Sequence, residues 1–412
     1  MITSNSIVEK KESLERAVQY VMDSSPFYKE HFKDSDVSNF QTLPFTTKED
    51  IAEQNELFCC VEKSNVAEYV TTSGTSGEPI TIFLTKNDLD RLAENERASL
   101  SLMNGSDADI YQLLTTIDKQ FMAGIAYYLG VQKMNAGIIR QGPGAIAAQW
   151  DSILKYKPTK LIAVPSFIIL LLDYADKNGI DYNQTSIDSI VCIGESIRDN
   201  SFNHNLIGRK ITSKWDVKLF STYASTEMAT AFSECKMQNG GHLNEDLLHL
   251  EVLRDDNTPV DNGEEGEIVI TTLGVEGTPL IRYRTGDIAK FWSDKCACGS
   301  SSSRIGPIIG RKSQLIKFKG TSIYPQSIYN VLMSFDQIDL YHILVDQIDM
   351  TTINLKILLS EKEVDSALMS DILMKLKTKL KVAPELLLVS EKELKQRIIN
   401  PNKRKPNYIT FI

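Results

Sequence analysis

No apolar run in the 412-residue chain is long enough to cross a bilayer. The longest, "FIILLLDY" at 167–174, falls far short of the ~20 residues a spanning helix needs. The opening "MITSNSIVEKKESLERAVQ" has none of the apolar core of a secretory signal, so a cytoplasmic protein with no membrane partner is expected. Cysteines number only six, which excludes a disulfide scaffold at this length and points to a reducing compartment. Positive charge is in deficit: 45 Lys and Arg against 54 Asp and Glu give a net charge of −9. No broad basic field exists to attract nucleic acid. Internal repeats and low-complexity stretches are absent. What is present is 42% apolar and 24% charged residues, the composition of a globular chain with room for two or three domains and a large core.

Hydrophobic patterning sets the organisation. Residues 7 to 33 read as helix, broken at Pro26, and "FTTKEDI" carries a capping box read as Thr46 with Glu49. From about 110 onward the apolar segments "DIYQLLTT", "NAGIIRQ", "TKLIAVP", "DSIVCIG" and "WDVKLFS" alternate with the helical "AIAAQWDSILKY" and "SFIILLLDYADKNG". Such alternation predicts βαβ units in a mainly parallel sheet. Between about 248 and 292 the pattern becomes short strands with turn signals, as in "DDNTPVDNGEEGE". After Gly310, the strands "QLIKFKG", "YHILVDQ" and "TTINLKILLS" and two helices predict a compact α+β unit. The expected fold is α/β: a large N-terminal domain of several subdomains over 1–312, and a small α+β domain over 313–412.

Four segments carry chemistry. "EYVTTSGTSGEPITIFLT" (68–85) reads as strand, loop, strand. Its loop of small hydroxylated residues and glycines offers backbone N–H groups and hydroxyls to an anion such as a polyphosphate. No Gly-Lys-Ser/Thr follows, so it is not a Walker loop. "LFSTYASTEMA" places Tyr223 and Thr226-Glu227 just after a strand, and "PLIRYRTGDIAKFW" places Arg284 to Asp287 in a turn. "IIGRKSQLIKFKGTSIYPQSIYNVL" puts Gly310-Arg311 at the domain junction. A competing dinucleotide signal, Gly142-x-Gly144-x-x-Ala147, has no acidic residue after the next strand. A tight βα turn lining a pocket is the preferred reading there.

In this order and at these intervals, the four segments, together with "LPFTTKED", resemble the adenylate-forming (ANL) superfamily, in its phenylacetate–CoA ligase-like branch. The resemblance implies that Ser73, Gly74, Thr75, Ser76 and Gly77 cover the phosphates of ATP. It implies that Tyr223 stacks on adenine beside Thr226, and that Gly194 and Glu195 line the base. Glu227 would help to hold Mg²⁺, Asp287 would accept from the ribose hydroxyls, and Arg311 would sit near ribose and phosphate. Lys403 best fits the catalytic lysine, with Lys405 as the alternative register. Ser313 falls where the family usually has an aspartate hinge, and Glu78 where a lysine is frequent.

Cys235, His242, Cys296 and Cys298 make a further set. Three thiols and one imidazole suit tetrahedral Zn²⁺, and some members of that branch keep a similar set. Cys59, Cys60 and Cys192 read as core. The expected activity is ATP-dependent formation of an acyl-adenylate and then a CoA thioester, with an aryl or arylacetic acid implied by the resemblance alone. Phe121, Tyr127 and Tyr128 could line an acid pocket, though aromatics at helical spacing are more often core. The runner-up activity passes the acyl group to an amine or a carrier protein; a nucleotide-binding regulator without turnover is the alternative from another class. Expected partners are thus small molecules, with a homodimer admitted.

Overall fold

The computed structural model describes residues 4–72, 79–335, 337–338, 340–348, 351–362, 364–398 and 407–412. The hydroxyl-rich stretch 73–78 and the basic stretch holding Lys403 and Lys405 therefore lie outside the described residues. Contacts group the described chain into two units. One takes in residues up to 72, 79–285 and 289–308; the other takes in 286–288 and 309 onward.

The first unit is built on the expected parallel strands. Gly137–Arg140, Ile110–Leu113, Lys160–Ala163, Ser189–Cys192 and Lys218–Ser225 pair in that spatial order, all parallel. Lys160–Ala163 and Ser189–Cys192 are buried along their whole length. Burial on both faces is why they read as continuous apolar runs rather than as alternating ones. The helices Ile146–Tyr156 and Pro165–Asn178 pack through Trp150, Ile153, Ile168, Leu171 and Leu172 against this sheet. Beyond Lys218–Ser225 the sheet turns antiparallel through Thr230–Glu234 and Gly241–His242 to Arg304–Ile305, Tyr283–Trp292, Glu265–Thr272 and Leu248–Leu253.

In the second unit Ile316–Phe318, Thr351–Ser360, Tyr341–Ile348 and Ile409–Phe411 pair in that order in a mixed sheet, the last at its edge. The helices Pro325–Leu332 and Ser366–Leu380 contribute Ile328, Val331, Leu332, Ile372 and Leu376 to its core. Ser313 lies in the short 3₁₀ turn Lys312–Gln314.

Three local expectations are corrected. The capping box is Thr47 with Asp50, which begins the helix Lys48–Gln54, and not Thr46 with Glu49. Thr46 is committed elsewhere: its N–H donates to Arg282 O, and its hydroxyl donates to Ile281 O at 2.7 Å. Arg284 to Asp287 are not a turn but part of the strand Tyr283–Trp292, in which Gly286 takes φ +74° and lends the segment its turn-like composition. Tyr223 lies inside the strand Lys218–Ser225 rather than after it. The structure also adds a helix that hydrophobic periodicity did not show, Lys86–Leu102. Its buried face holds Asp88, Arg91, Asn95, Glu96 and Ser99 beside Leu92, Ala93 and Leu100, so no clean apolar stripe marks it.

Candidate active site and metal centre

Parallel strands that end together leave a row of loops at their carboxyl edge, where open α/β sheets bind ligands. Gly194 and Glu195 follow the strand Ser189–Cys192, and Thr226 and Glu227 follow its neighbour Lys218–Ser225, with Cys192 paired to Ser221. Two of the predicted segments thus leave neighbouring strands, the second four residues beyond Ser221. Gly194 is exposed at φ +74°, a conformation only glycine adopts freely. The Glu195 carboxylate accepts from the Ser166 N–H at 2.9 Å and its hydroxyl at 2.8 Å. It therefore caps the helix Pro165–Asn178 of the adjoining strand and helps to fix the edge. Tyr223 packs against Phe232 with ring centroids 5.8 Å apart.

The turn bearing Glu227 is clamped. Ala229 takes φ +50°, unfavourable for a residue with a Cβ, and Arg91 Nη1 donates to its carbonyl at 2.6 Å. Arg91 Nε also donates to Leu273 O at 2.7 Å, and Nη2 to Leu247 O. Burial lowers the Arg91 pKa to about 10, which leaves the guanidinium charged at neutral pH. Sequence reasoning missed Arg91, because a helical arginine in a polar stretch gives no sign of facing inward.

The Gly142 to Ala147 segment is a tight βα turn. The Gly142 N–H donates to Leu113 O, and the carbonyls of Gly142 and Gly144 accept from Gln149 Nε2 at 2.7 and 3.2 Å. On either side of residues 73–78, Glu68–Thr71 pairs with Thr81–Leu84, and the Thr72 N–H donates to Ile80 O. In the second unit Asp287 and Arg311 are brought together: they pair across the strands, and Arg311 Nε donates to Asp287 Oδ1 at 3.0 Å. The LPFTTKED segment is held to strand Tyr283–Trp292 through Thr46 and through Arg282, whose Nη1 donates to the carbonyls of Gln41 and Leu43.

Cys235, His242, Cys296 and Cys298 place their ligand atoms within 4.8 Å of one another. Cys235 Sγ lies 3.9 Å from Cys296 Sγ, and Cys298 Sγ lies 3.6 Å from His242 Nε2. Four ligands around Zn²⁺, with bonds of about 2.3 Å to sulfur and about 2.0 Å to nitrogen, stand roughly 3.5–3.8 Å apart. The set therefore fits the metal. Ser302 Oγ is 2.9 Å from His242 Nδ1, which leaves Nε2 to face the thiols. Burial, with the nearby Arg304 guanidinium, lowers the His242 pKa to about 4, so the imidazole is neutral, as a ligand must be. The Met237 and Ser300 N–H groups donate to the sulfurs of Cys235 and Cys298. Cys192 is buried in its strand, and Cys59 and Cys60 are half-buried.

Parallel strands with polar loops at their carboxyl edge are the usual setting for small-molecule sites in α/β proteins. The family described as AMP-binding enzyme matches residues 2–276. The phenylacetate–coenzyme A ligase of Thermus thermophilus is 27% identical over 348 residues, 80% of this chain and 75% of that protein. Its Escherichia coli counterpart is 23% identical over 342 residues, 79% and 75% of the two chains. Among solved structures, a 2-hydroxyisobutyryl-CoA ligase in the postadenylation state superposes with a TM-score of 0.84 at 19% identity, covering 100% of this chain and 90% of that one. An anthranilate–CoA ligase gives 0.60 at 16%, covering 84% and 67%. The chain belongs to the AMP-binding enzyme family, as a phenylacetate–CoA ligase-like member of the adenylate-forming superfamily and an acid–CoA ligase by class. Among the described residues no helix is long and apolar enough to cross a membrane.

Proposed function

We propose that the protein joins an aryl or arylacetic acid to CoA in two steps. In the first, a carboxylate oxygen attacks the α-phosphorus of ATP and pyrophosphate leaves. In the second, the thiolate of CoA attacks the acyl carbon and AMP leaves. The observation that carries this reading is that the Gly194–Glu195 loop and the Tyr223–Glu227 run both follow the parallel pairing of Ser189–Cys192 with residues 218–221. There Tyr223 offers a ring for the adenine. The clamped turn offers the Glu227 carboxylate to Mg²⁺, which would offset charge on the phosphates. Asp287, ion-paired with Arg311 in its own unit, is assigned to the ribose hydroxyls. Ser73 to Gly77 are assigned to the phosphates and Lys403 to the forming bond; a turn at Ser313 between the half-reactions belongs to the same proposal.

The Cys235, His242, Cys296 and Cys298 set is assigned to one structural Zn²⁺. Four protein ligands leave no open position, so the metal would brace and not catalyse. It would tie the end of the strand Thr230–Glu234 to the loop before Arg304–Ile305.

Acid-dependent exchange of labelled pyrophosphate into ATP tests the first step. Exchange with at least one aryl or arylacetic acid, abolished by removing Mg²⁺, is expected. ATP binding with no exchange across aryl and aliphatic acids would refute the proposal.

A further inference from the structure

Arg198 and Glu234 form an ion pair in the interior of the first unit, 6% and 2% exposed. The guanidinium meets the carboxylate as a fork, with Nε donating to Oε1 at 2.9 Å and Nη2 to Oε2 at 3.0 Å. Nη2 donates also to Leu219 O at 2.9 Å, and Glu234 Oε2 accepts from the Ser221 N–H at 2.9 Å. Charge is costly to bury, and such a pair usually does little better for stability than apolar residues of the same size. What a fork supplies is a fixed distance and plane. Its use here follows from what it joins.

Leu219 and Ser221 lie in the strand Lys218–Ser225 where its partners change. Residues 218–221 pair with Ser189–Cys192, whereas 222–225 pair with Thr230–Glu234. The ion pair takes up a carbonyl and an N–H just short of that second ladder, in place of a strand. Tyr223 stands two residues beyond Ser221 in the same strand. Arg198 comes from the other candidate segment, three residues after Glu195, in the connection 193–205, whose described residues form neither helix nor strand. Ile197, next to it, is fully buried, so this part of the connection is anchored to the core. One guanidinium thus ties the stretch assigned to the adenine base to the strand that carries the ring assigned to it.

We propose that Arg198 and Glu234 are a positioning pair for the nucleotide: they hold the 194–198 stretch and Tyr223 at one spacing, and that spacing selects adenine over other bases. This rests on the adenylation reading above and on its assignment of Gly194, Glu195 and Tyr223 to the base. Neither residue of the pair touches ATP. A base keeps the same contacts before and during attack at the α-phosphorus, so disturbing its seat weakens ground state and transition state alike. The loss therefore falls on KM for the nucleotide and not on kcat.

The test is acid-dependent pyrophosphate exchange with ATP and with GTP, alongside calorimetric binding of ATP without turnover. Wild type should prefer ATP. Glu234→Gln keeps the shape and an acceptor for Ser221 but strips the charge from the fork. In it, KM and Kd for ATP should rise about tenfold, the modest end of what a small misplacement costs, with kcat and the KM of the acid unchanged. The preference for ATP over GTP should fall several-fold. Arg198→Lys keeps the charge but cannot hold the carboxylate and Leu219 O together, so it should act in the same direction. It leaves the residue beside Cys235 unaltered, and it decides alone where Glu234→Gln fails to fold. A lower kcat with KM, Kd and base preference unchanged would make the pair merely structural and overturn the inference. Equal exchange with ATP and GTP in wild type would also overturn it while leaving adenylation intact. No exchange with any acid would instead fell the adenylation reading, and this inference with it.

Discussion

Replacing Arg91 by methionine removes three donors from a buried clamp while keeping most of the side-chain volume. Arg91 is 7% exposed and donates to the carbonyls of Leu273, Ala229 and Leu247. A carbonyl orphaned in the interior costs roughly 1–3 kcal/mol, and relaxation recovers part of a clustered loss, so Arg91→Met should lower stability by about 3–5 kcal/mol. Stability is only half of the expectation. With Ala229 at φ +50° no longer held, the turn is free to relax by the roughly 1–2 kcal/mol stored in that conformation, and Glu227 moves with it. The Mg²⁺ concentration giving half-maximal exchange should therefore rise by about tenfold, on the scale of losing a supporting contact to a ligand. Arg91→Lys, which keeps the charge but not the fork, should fall between. Urea denaturation and an Mg²⁺ titration of the same preparations suffice. A loss under about 1 kcal/mol, or a large loss with the Mg²⁺ dependence unchanged, would refute the reasoning, because a merely structural arginine moves only the first.

Glu96 is held at about 7 by burial, above its ordinary 4.5, so ionising it opposes folding and its contribution to stability falls as pH rises from about 4.5 through 7. Glu96→Gln should remove that slope: relative to wild type, the variant should gain on the order of 3 kcal/mol between pH 4.5 and 8 in denaturation measurements, and a constant offset would contradict this. Cys296→Ser should abolish the one equivalent of zinc expected by metal analysis and lower the melting temperature, with acid preference unchanged; a wild type without metal, its four side chains reacting as free groups, would sink the assignment. Lys403→Ala should slow adenylation by at least about a hundredfold while sparing thioester formation from preformed acyl-adenylate. Equal loss in both steps would refute that role, and a larger effect at Lys405 would correct the register.

Much of the large unit was legible because two central parallel strands are buried on both faces. Such strands cannot hide: Lys160–Ala163 and Ser189–Cys192 stand out as apolar runs between helices. The Cys235, His242, Cys296 and Cys298 cluster was legible for a different reason: few residue types can hold zinc, and the fold brings the ligand atoms of these four within 4.8 Å of one another. What escaped were elements whose sequence is explained by distant partners. Lys86–Leu102 turns a polar face inward because Asp88 accepts from the Glu276 and Gly277 N–H groups and Arg91 reaches three carbonyls. Thr46 looks like a cap but is occupied by residues 281–284, so the cap falls to Thr47. The strand Glu385–Val389 and helix Glu391–Ile398 were passed over because the first is short and the second carries charges on every exposed turn. Gly286 mimicked a turn within a paired strand.

In the proposed reaction the chain couples ATP cleavage to acyl transfer onto a thiol through an acyl-adenylate. One measurement addresses it directly: mass-spectrometric analysis of a single reaction holding the protein, Mg·ATP, CoA and the acid most active in exchange. AMP, pyrophosphate and the acyl-CoA thioester are expected in equal amounts, with acyl-AMP accumulating when CoA is withheld. Production of ADP, or acyl-AMP that persists unchanged when CoA is supplied, would contradict it.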